Sequence, residues 1–328
     1  MNLSFLFVEW LGTPLWMWSS FFALVIAILS FDLGILHRQD KEIGVRESVM
    51  LSALYIALGL AFGGWVWWYL GSDAGLAYLT GFVVEKTLAL DNVFVIALIF
   101  SFFAVPRIYQ HRVLFWGILG VLVLRAIMIG VGATLVVEFA WVLYIFAAFL
   151  IVTGIKMLII KEAEPEVSKN VLVRFMRNRL NVTDEHHGER FFVKKRNLGT
   201  RRTSWFITPL FMALVMVEVA DVIFAVDSVP AIFAITTDPF IVYTSIIFAI
   251  LGLRALYFAL AAMIHRFRYL KPVLAIVLIF IGSKIFVADL LGLEKFPAAL
   301  SLGITFAIIG AGVVWSLLKT RDQQRQPV

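Results

Sequence analysis

Long apolar runs separated by short charged turns dominate the chain. The runs fall at about 14–36, 48–70, 76–104, 113–136, 139–160, 205–236, 240–263, 270–290 and 296–318. Each is near or above the roughly 20 residues that an α-helix needs to cross a bilayer core. Lipid offers the backbone no hydrogen-bond partners, so runs of this length predict helices that satisfy their own. The expected fold class is all-α: a polytopic membrane protein with about nine transmembrane helices. One stretch breaks the pattern. Residues 161–204 are the only sizeable polar segment, a loop within what reads as a single integral membrane domain over 1–328. In it, KEAEPE (161–166) is an acidic linker. VLVRFMRNRL (171–180) mixes apolar and basic residues at partial helical spacing, which predicts a helix lying on an anionic leaflet. FFVKKRN (191–197) reads as a short strand or a further surface anchor. DEHHGE (184–189) contains metal-ligand residue types, but without a spaced ligand set it reads as a solvated turn.

Composition agrees with the pattern. The chain is 62% hydrophobic and 15% charged, against about 45–50% and about 25% in soluble domains. A soluble, secreted or disordered protein is excluded. There is no Cys, which removes disulfides, thiolate ligands and cysteine nucleophiles. Residues 1–15 carry Glu9 but no Lys or Arg, so no signal peptide with a basic n-region is expected there. The net charge of +6 is not a nucleic-acid signature, because the charges are sorted by side. The odd-numbered loops and the C-terminal tail hold twenty-two Lys and Arg, while the N-terminus and the other loops hold only Lys295. The positive-inside rule then predicts an outer N-terminus and a cytoplasmic C-terminus. Trp16, Trp18, Trp65, Trp67, Trp68 and Trp141 fall near predicted outer ends, and Trp116, Trp205 and Trp315 near inner ends, as expected of interface anchors.

Two segments repeat. EKTLALDNV (85–93) and DVIFAVDSV (221–229) share a carboxylate, an Asp six positions on, a small polar residue and a Val. Glu85 thus matches Asp221, Asp91 matches Asp227, and Asn92 matches Ser228. Further on, VLVLRA (121–126) matches ILGLRA (250–255), pairing Arg125 with Arg254. TGIKML (153–158) matches IGSKIF (281–286), pairing Lys156 with Lys284. Three helices therefore recur, over about 75–160 and 205–290. Three is odd, so the second copy lies inverted in the membrane. Inverted repeats are a transporter architecture, with the substrate site near the midplane where the copies meet.

Glu85, Asp91, Glu218, Asp221 and Asp227 lie well inside predicted spans. A charge at the bilayer centre costs about 2.5–3.5 kcal/mol on insertion scales. Such residues face a cavity, pair with cations or carry protons. Glu218 and Asp221 are three apart and share a helix face. Asp221 and Asp227, like Glu85 and Asp91, are six apart, about 240° of rotation. Either the two faces serve different partners or the helix unwinds between them, and Pro230 favours a break. The ligands are oxygen only, which suits Mg²⁺, Ca²⁺ or Mn²⁺ rather than Zn²⁺ or Cu⁺. Arg125 and Arg254, near mid-span, are expected to pair with the acids. Lys156 and Lys284, nearer helix ends, are expected to snorkel while offsetting charge. Lys86, opposite Val222 in the repeat, is expected to pair locally with a carboxylate. Glu218, whose repeat position is Phe82, is as well suited to carrying a proton as to holding metal.

EKTLALDNVFV (85–95), ADVIFAVDSVPAIFA (220–234) and LGLRALYF (251–258) resemble the signature segments of the TerC family of bacterial integral membrane proteins, closest to its Alx branch. The resemblance covers roughly 75–320. It implies manganese(II) export across the inner membrane, with the family's motif residues carried onto Glu85, Asp91, Asn92, Glu218, Asp221 and Asp227. It also implies links to tellurite resistance and, in plants, to thylakoid biogenesis. The alternative is a membrane-embedded partner or insertion factor that transports nothing. An enzyme is not expected: HExxH and GxSxG are absent, and no His or Cys lies inside a span. GxxxxGK[ST] is absent too, so ATP is not the expected drive. Mn²⁺ is expected as the transported substrate, with no resident cofactor, lipid as the surroundings and a proton gradient as the natural drive.

Overall fold

The computed structural model describes residues 7–31, 45–139, 141–159, 171–183, 185–196, 203–261, 270–293 and 296–323. A tight hairpin of β1 (Glu9–Trp10) and β2 (Thr13–Pro14) leads into α1 (Leu15–Phe31). Then come α2 (Val45–Leu70), α3 (Ser72–Phe102), α4 (Arg107–Glu138) and α5 (Val142–Ile159). The polar segment forms α6 (Val171–Arg179), β3 (Phe192–Arg196) and β4 (Thr203–Ile207). The chain continues as α7 (Pro209–Phe233), α8 (Pro239–Leu251), α9 (Leu253–Ala261), α10 (Leu270–Leu290) and α11 (Ala298–Gln323).

The architecture is that of a polytopic all-α membrane protein. Among the described residues, six helices are long and apolar enough to cross a bilayer: α2, α4, α5, α7, α10 and α11. The α3 helix has 31 residues, about 46 Å at 1.5 Å per residue, but carries charges along its length. Its packing is inside-out relative to a soluble protein. On α4, Val123, Ile127 and Val131 are each more than half exposed, one above another, while Arg125 is buried on the opposite side. Apolar residues face lipid, and polar ones hide where protein can satisfy them.

Each predicted run overlaps a helix among the described residues, with two corrections. The sixth run begins at Pro209, not 205, because Thr203–Ile207 pairs as a strand with Phe192–Arg196. Thr208 and Pro209 then start α7 in the favoured cap-then-proline order. The seventh run is broken at Gly252 into α8 and α9. A Cβ at Gly252 would lie 2.8 Å from Lys86 Nζ and 3.0 Å from Tyr55 Cβ. Entry into α8 is fixed by Asp238, whose carboxylate accepts from the Phe240 and Ile241 amides at 2.8 and 3.3 Å. The unwinding favoured near Pro230 does not occur: α7 runs unbroken to Phe233. Proline so close to a helix end leaves few turns to disrupt, and the Ala234 amide still reaches the Pro230 carbonyl at 2.9 Å.

Matched helices pack in matched ways. The α3 helix lies against α8 and α9, as α4 lies against α7, and the third helices of the two copies, α5 and α10, pack on each other. A Cβ at Gly154 would stand 2.6 Å from the Ala275 carbonyl, and one at the repeat-matched Gly282 would stand 2.5 Å from the Ala147 carbonyl. Ala275 and Ala147 each stand seven residues before their own copy's glycine, Gly282 and Gly154. Two antiparallel backbones thus touch at equivalent points about a local two-fold.

Aromatic residues of α1, α2 and α8 build one end of the core, with Phe62 and Phe248 centroids 4.7 Å apart. Trp18 belongs here. It is buried, donates to the Trp10 carbonyl at 3.1 Å and meets Phe240 edge-on. It is not the interface anchor expected from its position near a span end. Trp68, Trp141 and Trp205 are exposed as anchors would be.

The polar segment is docked rather than spread on lipid. The α6 helix forms as expected, but Val173 and Met176 are buried against the Phe103, Val105 and Leu210 cluster. The protein's own helix ends supply the apolar surface that lipid was expected to supply. The DEHHGE turn is likewise held: His186 Nε2–H donates to the Phe103 carbonyl at 3.1 Å, and Glu189 pairs with Arg112. Lys161–Glu166 lies outside the described residues.

Candidate functional site

The acidic residues come from α3 and α7, which cross in the centre of the bundle. Glu85 is 1% exposed and Arg125 of α4 is equally buried. Arg125 Nη2 lies 2.8 Å from Glu85 Oε1, and Nη1 donates to Ser228 Oγ at 2.7 Å. One guanidinium thus ties α3 and α4 of the first copy to α7 of the second. Arg suits this place because its planar fork makes two directed bonds in one plane. Breaking a buried pair from one side strands the other charge, at a cost of about 3–5 kcal/mol.

The bridge leaves capacity unused. Glu85 Oε2 and Arg125 Nε are buried with no hydrogen-bond partner among the described residues, and Glu218 Oε2 is in the same condition. Glu218 is only partly buried overall, and its carboxylate rests against the backbone of Gly120, where any side chain would overlap it. Asp221, one turn further along α7, is buried. Beside it lies a cavity of about 10 Å³ walled by Ile96, Gly117, Val121 and Ile250. That is about the room one water needs. Asn92 is buried on α3.

The structure brings together part of the predicted set. Glu85, Arg125 and Ser228 meet directly. The side chains of Asp91, Asp227 and Arg254 lie outside the described residues. Among the described residues, no group of three or more His, Asp or Glu side chains gathers closely enough to hold a metal ion. Two cations differ from expectation. Lys284 does not snorkel: it is buried and donates to Ser301 Oγ of α11 at 3.1 Å. The α11 helix packs on α10 here. Lys156, its repeat partner, is exposed. Lys86 is bonded to a backbone carbonyl, not paired with an acid: its Nζ reaches the Ala249 oxygen at 3.0 Å. The last carbonyls of a helix lack intrahelical donors and attract cations, and the break at Gly252 creates such an end in mid-span.

Sequence reasoning missed two residues that shape the site, Gly120 and Gly252. The available signal was asymmetry in the repeat. Gly252 matches Val123, and Lys86 matches Val222, so the break and its lysine occur in one copy only. Glu218 and Gly120 are matched by Phe82 and Ala249, so that pairing is also one-sided.

Residues 70–324 match the model of the family described as integral membrane protein TerC. An uncharacterized membrane protein of Myxococcus xanthus is 45% identical over 310 residues, covering 94% of each chain. The protein named putative membrane-bound redox modulator Alx is 46% identical over 307 residues in Escherichia coli K12, covering 91% of this chain and 92% of that one. The protein of that name in Photorhabdus laumondii is 43% identical over 312 residues, covering 92% and 94%. No solved structure matches the chain.

Proposed function

The chain belongs to the TerC family of integral membrane proteins, and from that and its buried acidic bridge we propose that it exports manganese(II) across the bacterial inner membrane. The observation that carries this reading is the bridge from Glu85 through Arg125 to Ser228, which joins the two inverted copies inside membrane-spanning helices. Ionisable residues at such depth mark ion or proton pathways by default. Oxygen ligands suit Mn²⁺, which is substrate here and not a resident cofactor. Asp91, Asp221 and Asp227 complete the acidic set with Glu85, the Asn92 amide adds a neutral oxygen, and Glu218 is the proton carrier. Cargo passes as the two copies rock against each other. The protein is a secondary carrier, not an enzyme. It uses no ATP and binds no nucleic acid. Its N-terminus is outside and its C-terminus cytoplasmic, as the sorting of Lys and Arg requires.

The redox role in the printed name of the Alx relatives fits this chain only indirectly, since it has no Cys and hence no thiol chemistry of its own. Metal export supplies an indirect route. The test is Mn²⁺ flux in proteoliposomes. D91N and D227N are expected each to abolish flux while the protein still inserts and folds, because neutralising a desolvated carboxylate removes a cost. Wild-type flux in both variants, or no flux in the wild type, would overturn the reading and leave a non-transporting membrane factor.

A further inference from the structure

The hairpin of β3 and β4 leaves an open groove that ion transport does not use. Its volume is about 690 Å³, and His187, Arg190, Phe192, Val193, Lys194 and Trp205 line it. The hairpin is held at the membrane by the chain itself, because β4 ends at Ile207 and the membrane-crossing α7 starts at Pro209. At roughly 3.3 Å per residue, Trp205 cannot lie more than about 15 Å from the start of that helix. The polar headgroup layers extend roughly 5–7 Å beyond each side of the hydrocarbon core. The groove is therefore within reach of lipid headgroups.

Its chemistry fits that level. Trp205 and Phe192 are 62% and 48% exposed, an unusual display for aromatic residues unless an interface covers them. Lys194 and Trp205 are cross-strand partners, and the Lys194 ammonium sits 4.7 Å from the Trp205 ring centroid. Arg190 is exposed. The neighbouring acid, Glu189, is already paired with Arg112, whose guanidinium also stacks on Phe191. The free charge of the groove is thus positive. Val173 and Met176 of α6 are turned inward onto Phe103 and Leu210.

We propose that this groove binds the phosphate headgroup of an anionic lipid, with Arg190 and Lys194 taking the phosphate oxygens and Trp205 and Phe192 resting among the headgroups. The proposal rests on the chain being a membrane protein and not on what it transports. Because the sequence has no Cys, a single fluorophore can be placed at Thr203 on β4 by T203C. The exposed Thr134 of α4 serves as a control through T134C. The full chain is reconstituted in bilayers of phosphatidylcholine and phosphatidylglycerol, and either lipid is brominated at equal fraction. The ratio of quenching by the two brominated lipids reads the local enrichment of the anionic one.

The expected ratio at Thr203 is several-fold above that at Thr134. A basic residue at an anionic surface contributes about a fivefold preference, so R190Q and K194Q should each lower the ratio about that much. Millimolar inorganic phosphate should not change it. Equal ratios at the two positions, or an unchanged ratio in the R190Q/K194Q double variant, would overturn the proposal. Loss of the enrichment on adding inorganic phosphate would reassign the groove to a free anion.

Discussion

At the scale of single residues, the Arg125 bridge separates what holds the protein together from the export proposed for it. Arg125 is the shared partner of Glu85 and Ser228, so R125M strands a buried carboxylate and an unfilled hydroxyl. The expected loss is about 3–5 kcal/mol. A double replacement, E85L with R125M, removes both charges, and buried pairs replaced by apolar residues of similar volume are often neutral or more stable. Thermal unfolding in detergent should therefore rank R125M below both the wild type and the double variant. Flux should be absent from the double variant even though it folds. R125A should also unfold at a lower temperature than D91A, since losing the Arg leaves more charge uncompensated. The reverse order would mean that Arg125 is dispensable to packing. Much of this site was legible in the sequence. Depth in an apolar run and the three-part repeat marked Glu85, Asp221, Ser228 and Arg125 before any coordinates. What was not legible is which partner each cation takes. Lys86 and Lys284 find a carbonyl and a hydroxyl because of helices remote in sequence, α8 and α11.

At the scale of elements, hydropathy located the helices because lipid imposes one demand on every span. It did not locate the break at Gly252, since a glycine in an apolar run has the same signature whether the helix bends or not. Nor did it show that β4 precedes α7, because the WFI at the end of the strand runs on into the apolar helix that follows. The α5–α10 contact is where repeat and packing coincide. Gly154 faces the Ala275 carbonyl and Gly282 faces the Ala147 carbonyl, both backbone atoms that cannot rotate away. Close backbone approach through small residues is how membrane helices gain packing without a hydrophobic drive. G154A and G282A should each force the pair apart and cost about 1–3 kcal/mol, as overpacking does. Because the points are symmetry-equivalent, the two losses should agree. Detergent melting curves check this, and a loss in one variant alone would show that the two-fold is not maintained at this contact.

At the scale of the whole molecule, the proposed export requires the two copies to exchange access to one set of acids. Beside Asp221 the helices leave a space of about 10 Å³, room for about one water. Metal binds only to the ionised carboxylates, and protons compete for the same oxygens. An alkaline cytoplasmic side then favours loading, and a more acidic outer side favours release. That sign drives export. The contrary case is that every acid is locked as Glu85 is locked to Arg125, and none exchanges protons during the cycle. Glu218 Oε2, buried without a partner and belonging to no repeat pair, is the group best suited to break that lock. Proteoliposomes with an imposed pH gradient distinguish the two. Export should accelerate when the outer compartment is made more acidic and slow or reverse when the gradient is inverted. E218Q should retain Mn²⁺ binding but lose this sensitivity. Flux that ignores the gradient in both directions would remove proton coupling and leave a uniporter or channel.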